Sequence, residues 1–493
     1  MKRMYKQMPL FGGLSESSSS SRKNSFDPDK FVGAVVGSAV GDALGWPTEF
    51  LTTRSTQRSE IKLPLRDFVS WKKRVGGKWW GYVDDIEAGS YSDDTQLLLA
   101  VARSIDDHGD LIPENFAYEE LPLWLHYERG GGKSIKAASR SLLQKSRTWF
   151  NNFYSQKELN YKTAGANGAA MRNLPLALAS AGNVRKIMRN SFYNSIITHG
   201  HPRAILGAVV FGLAVNYLLH GSEIERFGEY LKDNWTGLYD VMAEDQTIQS
   251  WIKRWDGKTP GAFLNLLAAA IREVSEYLDA MLTTSTPYDY YKKIGALSQD
   301  TKGSGTATVA AALFVVNKYN DDPYNGLFTA ANILGSDTDT ISSFVGALFG
   351  AKYGTNSVPN HLHEKIQDKD YLENTGRRLY NLTRQAIRSE KKATGEGRLS
   401  QRDAYLRILA WEIGLHEMFW DALEEGSPVV HPTLGQGHIT NKQVRPIPRE
   451  GYVAKLISVS FDSGQSCIFH SRVQNNLRVA ESLTDVIEKN FKE

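Results

Sequence analysis

Two short acidic segments stand directly before apolar helical sequence in this chain. The first is Ser92-Asp93-Asp94-Thr95 and the second is Asp337-Thr338-Asp339-Thr340. Ser and Asp at a helix N-terminus cap free N–H groups, so capping alone can account for either segment by itself. Four carboxylates brought together, however, repel one another unless a cation lies among them. Oxygen ligands without a nearby His or Cys favour magnesium, manganese or calcium over zinc.

A lone carboxylate and three polar turns are the other candidate functional positions. Glu49 follows a helix that Pro47 ends, in a setting where an isolated Glu is usually solvated. Segments 165–172 and 302–307 are small-residue turns that open helices; their free N–H groups can hold phosphate, although ordinary tight turns also explain them. Segment 198–202 contains two histidines separated by one glycine, which fit a loop as well as a metal pair.

The elements that must position these residues are predominantly helical. Ala- and Leu-rich segments recur between residue 31 and about 392 without strong strand alternation, which predicts a compact, mainly all-α domain. Glycines at every fourth position form two stripes, each of which predicts close helix contact because glycine costs a helix interior about 1 kcal/mol. The stripes are Gly33, Gly37, Gly41, Gly45 and Gly346, Gly350, Gly354; the helical segments are 31–45, 94–105, 133–144, 169–181, 203–219, 261–283, 305–317 and 341–353.

The two ends of the chain differ from this helical region. Residues 1–30 are expected to form a flexible, Ser-rich tail, and 31–395 the helical domain. Residues 396–425 predict a connecting helix, and 426–493 a small β-rich module with glycine turns. This module resembles a small Tudor- or SH3-like β-barrel through 431–432, 434–437 and 461–464. It is expected either to bind a protein or nucleic acid or to cover a face of the main domain.

Composition predicts a soluble, cytoplasmic protein. Of the 493 residues 41% are hydrophobic and 23% charged, and the net charge of +3 gives no general case for nucleic-acid or membrane binding. The single cysteine, Cys467, excludes an intrachain disulfide framework and a Cys-based zinc cluster, and its strand-like setting favours a packed thiol. No signal peptide is expected, and the most membrane-like stretch, Phe31–Leu44, is too short and contains Asp42.

Five motifs in order resemble the ADP-ribosylglycohydrolase family over residues 31–356. They are Gly37–Gly45 with Glu49-Phe50, Tyr91–Gln96, Asn167–Arg172, Thr198-His199 and Gly335–Ile341. The resemblance implies an orthogonal all-α fold and a binuclear magnesium or manganese site. The implied metal ligands are Ser92, Asp93, Asp94, Asp337, Asp339 and Thr340. Two departures are mild: Ser92 stands where many members have Thr, and Ser336 where they usually have a second Gly.

The resemblance also implies roles in catalysis and substrate binding. Glu49 matches the carboxylate that assists catalysis, and Asp94 and Asp339 are predicted to act with it. The positions implied to hold ADP-ribose are Asn167, Gly168, Ala169, Met171 and His199, with Gly303 and Ser304 of the second glycine turn predicted to join them. The long interval between His199 and Lys302, with its tryptophans, lies outside what the resemblance explains.

The predicted function is that of a metal-dependent hydrolase that removes ADP-ribose from an acceptor. A protein side chain is expected, with arginine first; serine, another side chain, a nucleic-acid base and a free ADP-ribosyl compound remain open. Reversal of, or immunity against, an ADP-ribosyltransferase toxin is a narrower option. The alternative is a catalytically idle scaffold that binds ADP-ribose or a toxin; oxygen side chains at all six ligand positions favour the enzyme. A monomer without membrane contact is expected.

Overall fold

The computed structural model describes residues 26–51, 61–156, 158–388, 400–419 and 423–474. Its helices α1 to α19 are Pro28–Gly45, Gly77–Trp80, Asp93–Arg103, Pro113–Asn115, Leu121–Trp124, Lys133–Leu142, Leu174–Ala179, Val184–Ile196, Pro202–Leu219, Phe227–Glu244, Gln246–Asp256, Ala262–Thr283, Pro287–Lys293, Gly305–Lys318, Pro323–Asn332, Thr338–Tyr353, Asn360–His363, Lys369–Arg388 and Gln401–Phe419. Its strands β1 to β8 are Trp71–Val75, Tyr82–Ile86, Ser155–Gln156, Leu159–Asn160, Pro428–His431, Gly435–Pro446, Tyr452–Phe461 and Ser466–Gln474. The fold is mainly all-α with a C-terminal sheet, as predicted.

Helices α1 and α16 lie in direct backbone contact at the centre of the helical domain. A Cβ on Gly37 would overlap the carbonyl oxygen of Gly346, and one on Gly346 would overlap that of Gly37. One turn further along, a Cβ on Gly350 would overlap the carbonyl of Gly33, and one on Gly33 would overlap the backbone of Gly354. The close helix contact predicted from the two glycine stripes is therefore confirmed. It fixes the end of α1 against the start of α16, where Gly45 contacts the backbone of Thr338.

The helix that is long and apolar enough to cross a membrane is α9, and 89% of that stretch is buried inside the protein. By length and composition α9, and not Phe31–Leu44 as expected, is the most membrane-like described segment. It packs beside α8, α14 and α16, which is the environment of a core helix.

A β-hairpin interrupts the helical domain and was not predicted. Strands β1 and β2 pair antiparallel, with Lys73 opposite Asp84 and Val75 opposite Tyr82. Each strand has only five residues, and Lys73 and Asp84 place charged side chains at inward positions, which breaks the apolar alternation. The hairpin lies between α1 and α3 in the chain, and Lys73 of β1 has its Nζ 4.0 Å from Glu49 Oε2.

The C-terminal strands form an open antiparallel sheet in the order β5-β6-β7-β8. The sheet covers a face of the helical domain, which was one of the two expectations for it. The Phe469 ring lies 5.7 Å from that of Tyr127 and 5.1 Å from that of Trp411 in α19. Arg103 Nη1 donates to Gln465 Oε1 at 2.8 Å. Cys467 is buried in β8, a packed thiol as predicted.

The predicted domain boundaries stay predictions. Residues 1–25 of the tail lie outside the described residues, and α1 begins at Pro28, before the end of the expected tail. Helix α19 spans Gln401–Phe419 within the expected connecting segment 396–425.

Candidate active site

Helix α1 brings Glu49 to the acidic start of α16. One carboxylate oxygen each of Glu49, Asp337 and Asp339 lies within 4.8 Å of the other two. Between α1 and Glu49, the hydroxyl of Thr48 donates to the Gly45 carbonyl at 2.8 Å and lies 3.0 Å from the Thr338 hydroxyl. The glycine contact between α1 and α16 and this hydroxyl pair together set the position of Glu49.

The same helix anchors the acidic start of α3 through Asp42. The Asp42 carboxylate is fully buried and accepts hydrogen bonds from the backbone N–H of Ser92 at 3.1 Å and from that of Thr95 at 3.0 Å. It also accepts one from the Thr95 hydroxyl at 2.6 Å. Burial raises the pKa of Asp42, while these bonds oppose the rise. Sequence reasoning gave Asp42 no role, although a carboxylate in an otherwise apolar helix was the available signal.

Three carboxylates of the two acidic segments, those of Asp93, Asp94 and Asp339, have raised pKa values. Burial, followed by repulsion from Asp42 and Asp93, raises the pKa of Asp94 well above its ordinary value. Burial and then the charge of Glu49 do the same for Asp339. Burial and Glu128 raise the pKa of Asp93 to about 7. Ionisation of these buried carboxylates together is therefore unfavourable unless positive charge lies nearby.

The pKa of Glu49 is raised to about 8. Burial is the main cause; Lys73 opposes it, and Asp337 and Asp93 add to it. The side chain of Glu49 nevertheless keeps 21% exposure, so a group in solution can reach it.

The donor set at the two helix starts fits a hard cation. Asp94 Oδ2 is buried and has no hydrogen-bond partner. The Asp94 side chain bonds to Thr340, and the backbone N–H of Thr340 donates to Asp339 Oδ1 at 2.9 Å. The hydroxyl of Ser92 accepts from the Asp94 N–H at 3.2 Å as the cap of α3. Oxygen atoms dominate the group, and a cation among them would offset the repulsion. The ligand assignments themselves remain predictions.

Both glycine turns lie against Asp337. The side-chain amide of Asn167 donates to Asp337 Oδ2 at 2.8 Å, and its backbone N–H donates to the carbonyl of Gly303 at 2.8 Å. A Cβ on Gly303 would stand 3.3 Å from Asp337 Oδ2. Ser304 forms an isolated bridge with Ala166, which joins the two turns. Positions far apart in the sequence thus meet beside the acidic group.

The remaining predicted substrate positions are buried, and two of them are neighbours. A Cβ on Gly168 would stand 3.0 Å from His199 Cε1, so these two residues are neighbours. Ala169 and Met171 are buried. Burial and Arg172 lower the pKa of His199 to about 3, and its Nδ1 lies 2.7 Å from the Thr198 hydroxyl.

The two histidines of segment 198–202 have separate roles. His201 Nδ1 accepts from the backbone N–H of Arg203 as the cap of α9. Among the described residues, the group of acidic, His or Cys side chains spaced for a metal is Glu49, Asp337 and Asp339. The metal-pair interpretation of His199 and His201 therefore gains no support.

Arg172 is a residue whose role sequence reasoning missed. It is fully buried and donates to the Gly168 carbonyl at 3.0 Å, to Asn194 Oδ1 at 2.7 Å and to the Thr198 hydroxyl at 2.7 Å. Burial lowers its pKa to about 9. Through these hydrogen bonds Arg172 joins the loop that contains Gly168 to the loop that contains His199. A cation in a run of small residues was the signal that could have identified it.

Two tryptophans from the interval that the resemblance did not explain support the His199 loop. Trp255 Nε1 donates to the carbonyl of Gly200 at 2.8 Å. Trp251 Nε1 donates to the hydroxyl of Tyr161 at 2.9 Å. Both lie in α11, so this helix helps to hold the substrate-side loops.

Comparison with known proteins decides the family. The model of the family described as "ADP-ribosylglycohydrolase" matches residues 22–388. The chain belongs to the ADP-ribosylglycohydrolase family. Its relatives include the ADP-ribosylarginine hydrolase Tri1 of Serratia proteamaculans, 24% identical over 71% of this chain and 79% of that protein. Another is the ADP-ribosyl-[dinitrogen reductase] glycohydrolase of Rhodospirillum rubrum, 25% identical over 69% of this chain and 91% of that protein.

A third relative is the ADP-ribosylhydrolase ARH3 of Danio rerio, 26% identical over 72% of this chain and 90% of that protein. Family membership and these relatives identify an enzyme that hydrolyses a glycosidic bond to ADP-ribose. The described residues from Gln401 onward, with α19 and the C-terminal sheet, lie beyond the family match.

Proposed function

We propose that this protein is a metal-dependent hydrolase that removes ADP-ribose from a modified protein side chain. The observation that carries the proposal is the meeting of Glu49 with Asp337 and Asp339 within 4.8 Å, next to the glycine turns of Asn167 and Gly303. Sequence reasoning places arginine first among the acceptors. The supporting facts are the family match and the relatives named as ADP-ribosyl hydrolases.

The metal site in this proposal uses Ser92, Asp93, Asp94, Asp337, Asp339 and Thr340. Two Mg²⁺ ions, or Mn²⁺ in their place, supply Lewis-acid activation of water and orientation of the ribose hydroxyls when bound. Burial and the raised pKa values of Asp93, Asp94 and Asp339 support this assignment, because buried carboxylates without a positive partner are unfavourable. The family resemblance supports the number of ions.

The catalytic role falls to Glu49, with Asp94 and Asp339 supporting it. Cleavage at the anomeric carbon develops positive charge on the ribose ring, which nearby carboxylates stabilise. Glu49 keeps partial exposure and can accept a proton from the attacking water. Asn167 and the Gly303–Ser304 turn orient the substrate, while Gly168, Ala169, Met171 and His199 shape the pocket behind them.

The test is a panel of ADP-ribosylated substrates. Peptides modified on arginine or serine, and free ADP-ribosyl compounds, are incubated with the full chain in Mg²⁺, in Mn²⁺ or in EDTA, and released ADP-ribose is measured. We expect release from at least one substrate that depends on the metal and is lost in Asp339→Asn. Binding of ADP-ribose without release from any substrate would instead support the idle-scaffold alternative.

The cellular setting belongs to the same proposal. We expect a cytoplasmic monomer that reverses the product of an ADP-ribosyltransferase, a toxin included. Partner binding by the C-terminal sheet stays a prediction.

A further inference from the structure

Two buried donors near Glu49 have no hydrogen-bond partner among the described residues. They are the indole Nε1 of Trp46 and the ammonium Nζ of Lys73. Trp46 is 1% exposed, and the Lys73 side chain is 14% exposed. Buried polar groups are nearly always hydrogen-bonded in native proteins. A pair of donors without a partner in the described part of the chain offers a place where a ligand can supply the acceptor.

Both donors border one small space beside Gly130. The point where a Cβ on Gly130 would stand lies 3.5 Å from Trp46 Nε1, 3.6 Å from Lys73 Nζ and 2.8 Å from Asp93 Oδ1. Gly130 has a φ of +107°, which L side chains rarely adopt. The absence of a side chain at this position keeps the space free between the two donors and the carboxylate of Asp93.

The ammonium of Lys73 is held beside Glu49. Its Nζ lies 4.0 Å from Glu49 Oε2. It also lies 4.9 Å from the centre of the Trp46 ring and 4.6 Å from that of Phe50, within the range of cation–π attraction. These contacts hold the ammonium beside the carboxylate of Glu49.

The C-terminal sheet supports the hairpin that carries Lys73. Tyr82 of β2 is buried in a cluster with Ala454 and Leu456 of β7. Arg445 of β6 forms an ion pair of 2.6 Å with Asp85 of β2. The sheet lies beyond the family match, so a part of the chain that the family does not explain helps to build this side of the site.

The chemistry of this space distinguishes between acceptors. An oxygen in a glycosidic bond has lone pairs that can accept from Trp46 Nε1 and Lys73 Nζ. A guanidinium group has N–H donors and no acceptor, so it would leave both donors unpartnered and place a second cation beside Lys73. This difference works against arginine and in favour of an oxygen-linked acceptor.

Resting on the proposed function, we propose that Trp46 and Lys73 bind the leaving oxygen of an ADP-ribosylated alcohol side chain, so that the acceptor is of the serine class. In the reaction the bond between the anomeric carbon and the acceptor oxygen breaks. The oxygen of water bonds to that carbon, and the acceptor oxygen gains a proton to become a free hydroxyl. The two donors stabilise the negative charge that develops on the leaving oxygen. Lys73 and Trp46 are thus specificity-determining residues.

The test compares three substrates with the full chain and Mg²⁺. Two are peptides of one sequence, ADP-ribosylated on serine or on arginine; the third carries ADP-ribose on 4-nitrophenol, a leaving group that needs little stabilisation. The variants are Lys73→Met and Trp46→Phe, which remove the donors and keep apolar volume. Lys78→Met is the matched control, because its ammonium lies only over the exposed ring of Trp79.

We expect wild type to cleave the serine linkage at least about 100-fold faster than the arginine linkage. Loss of a hydrogen-bond donor to a developing oxyanion typically lowers kcat by about 10² to 10³. Lys73→Met should show such a loss on the serine peptide and a much smaller one on the nitrophenyl substrate. Trp46→Phe should show the same pattern. Lys78→Met should match wild type, and ADP-ribose affinity measured by calorimetry should be unchanged in all variants.

Three results would overturn the inference. Faster cleavage of the arginine linkage by wild type would leave the proposed function standing and exclude an alcohol acceptor. Equal losses on the serine and nitrophenyl substrates in Lys73→Met would assign Lys73 a purely structural role. Cleavage of none of the three substrates would remove the proposed function, and this inference with it. Should one donor variant fail to fold, the other and Lys73→Arg, which keeps a cationic donor, decide the question.

Discussion

At the residue scale, the site concentrates carboxylates that are unfavourable together without a cation. The oxygens of Glu49, Asp337 and Asp339 lie within 4.8 Å of one another, and two unit charges at that separation repel by about 3 kcal/mol at an effective dielectric constant of about 20. Asp42 is a further buried carboxylate, and it accepts hydrogen bonds from Ser92 and Thr95 at the start of α3. These hydrogen bonds fix α1 to the acidic start of α3.

Replacing Asp339 with Asn should stabilise the metal-free protein. A carboxylate with a raised pKa binds protons more tightly in the folded than in the unfolded state, so its contribution to stability falls as the pH rises from about 4 through the raised value. In EDTA at pH 8 we expect Asp339→Asn to melt about 2–4 °C above wild type. Added Mg²⁺ should raise the Tm of wild type and have little effect on the variant. A variant that melts lower than wild type in EDTA would contradict the repulsion between these acids.

Replacing Glu49 with Gln separates catalysis from metal binding. Loss of a general base typically slows a reaction by about 10² to 10⁴, and we expect a kcat loss of that size in Glu49→Gln with Mg²⁺ affinity nearly unchanged. Calorimetry with Mg²⁺ and turnover at saturating Mg²⁺ are the two measurements. Because Glu49 lies in one group with Asp337 and Asp339, a collapse of affinity with turnover preserved at high metal would make it a ligand instead.

At the element scale, the contact between α1 and α16 determines where the two acidic helix starts lie. Glycine at positions 37 and 346 permits backbone contact, and this contact sets Gly45 beside Thr338 and Glu49 beside Asp339. Asp42 then links α1 to α3. Helix α1 therefore positions Glu49 and the acidic starts of both α3 and α16.

Replacing Gly37 with Ala should destabilise the fold. Its Cβ would overlap the Gly346 backbone, which cannot move as a side-chain end can, and overpacking of this kind costs about 1–3 kcal/mol. Gly414→Ala in α19 is the control, because a Cβ there meets no atom within 4 Å; we expect it to leave stability unchanged or raise it by up to about 1 kcal/mol. Denaturant unfolding of both variants measures the difference. Equal stability of the two would contradict the close packing of α1 on α16.

At the scale of the whole molecule, the C-terminal sheet and the helical domain share one apolar core. His431 lies at this junction, 4.5 Å from the Trp411 ring and 5.8 Å from that of Phe469. Its Nδ1 accepts from the backbone N–H groups of Thr433 and Leu434, which requires a neutral ring. Burial lowers the pKa of His431 well below its ordinary value.

Acid should therefore weaken this junction. A depressed histidine pKa gives stability that is present above the unfolded-state value of about 6.5 and is lost as the pH falls below it, by up to about 1.4 kcal/mol per pH unit. His431→Asn keeps an acceptor for the two N–H groups and cannot take up the proton. We expect Tm to fall less between pH 7 and pH 5 in this variant than in wild type. Parallel curves for the two proteins would show that His431 does not titrate on unfolding.

The fold and the site could be predicted from the sequence where it contains acidic motifs and a regular glycine repeat. Five motifs in order, two of them the acidic segments, indicated the family, which the family match confirms. The glycine stripes predicted the helix contact, because glycine at every fourth residue of a helix has few other structural explanations. The hairpin of Lys73 was missed, since Lys73 and Asp84 place charged residues at inward positions and so break the apolar alternation of its five-residue strands. The structural roles of Asp42 and Arg172 were missed because their hydrogen-bond partners, such as Thr95 and Thr198, are distant in sequence.

The docking of the sheet could not be predicted for a related reason. Its contacts join residues hundreds of positions apart, such as Arg103 with Gln465 and Asp85 with Arg445. Each of these side chains suits an exposed helix or strand equally well, so the pattern predicted a β-rich segment without indicating the face it covers.

Mass spectrometry of one ADP-ribosylated serine peptide incubated with the full chain tests the metal-dependent hydrolysis most directly. With Mg²⁺, wild type should convert the peptide to its unmodified mass with release of one ADP-ribose per peptide, and EDTA or Asp339→Asn should stop the conversion. Conversion by Asp339→Asn at the wild-type rate, or conversion that is unaffected by EDTA, would contradict a metal-dependent hydrolase built on these two acidic helix starts.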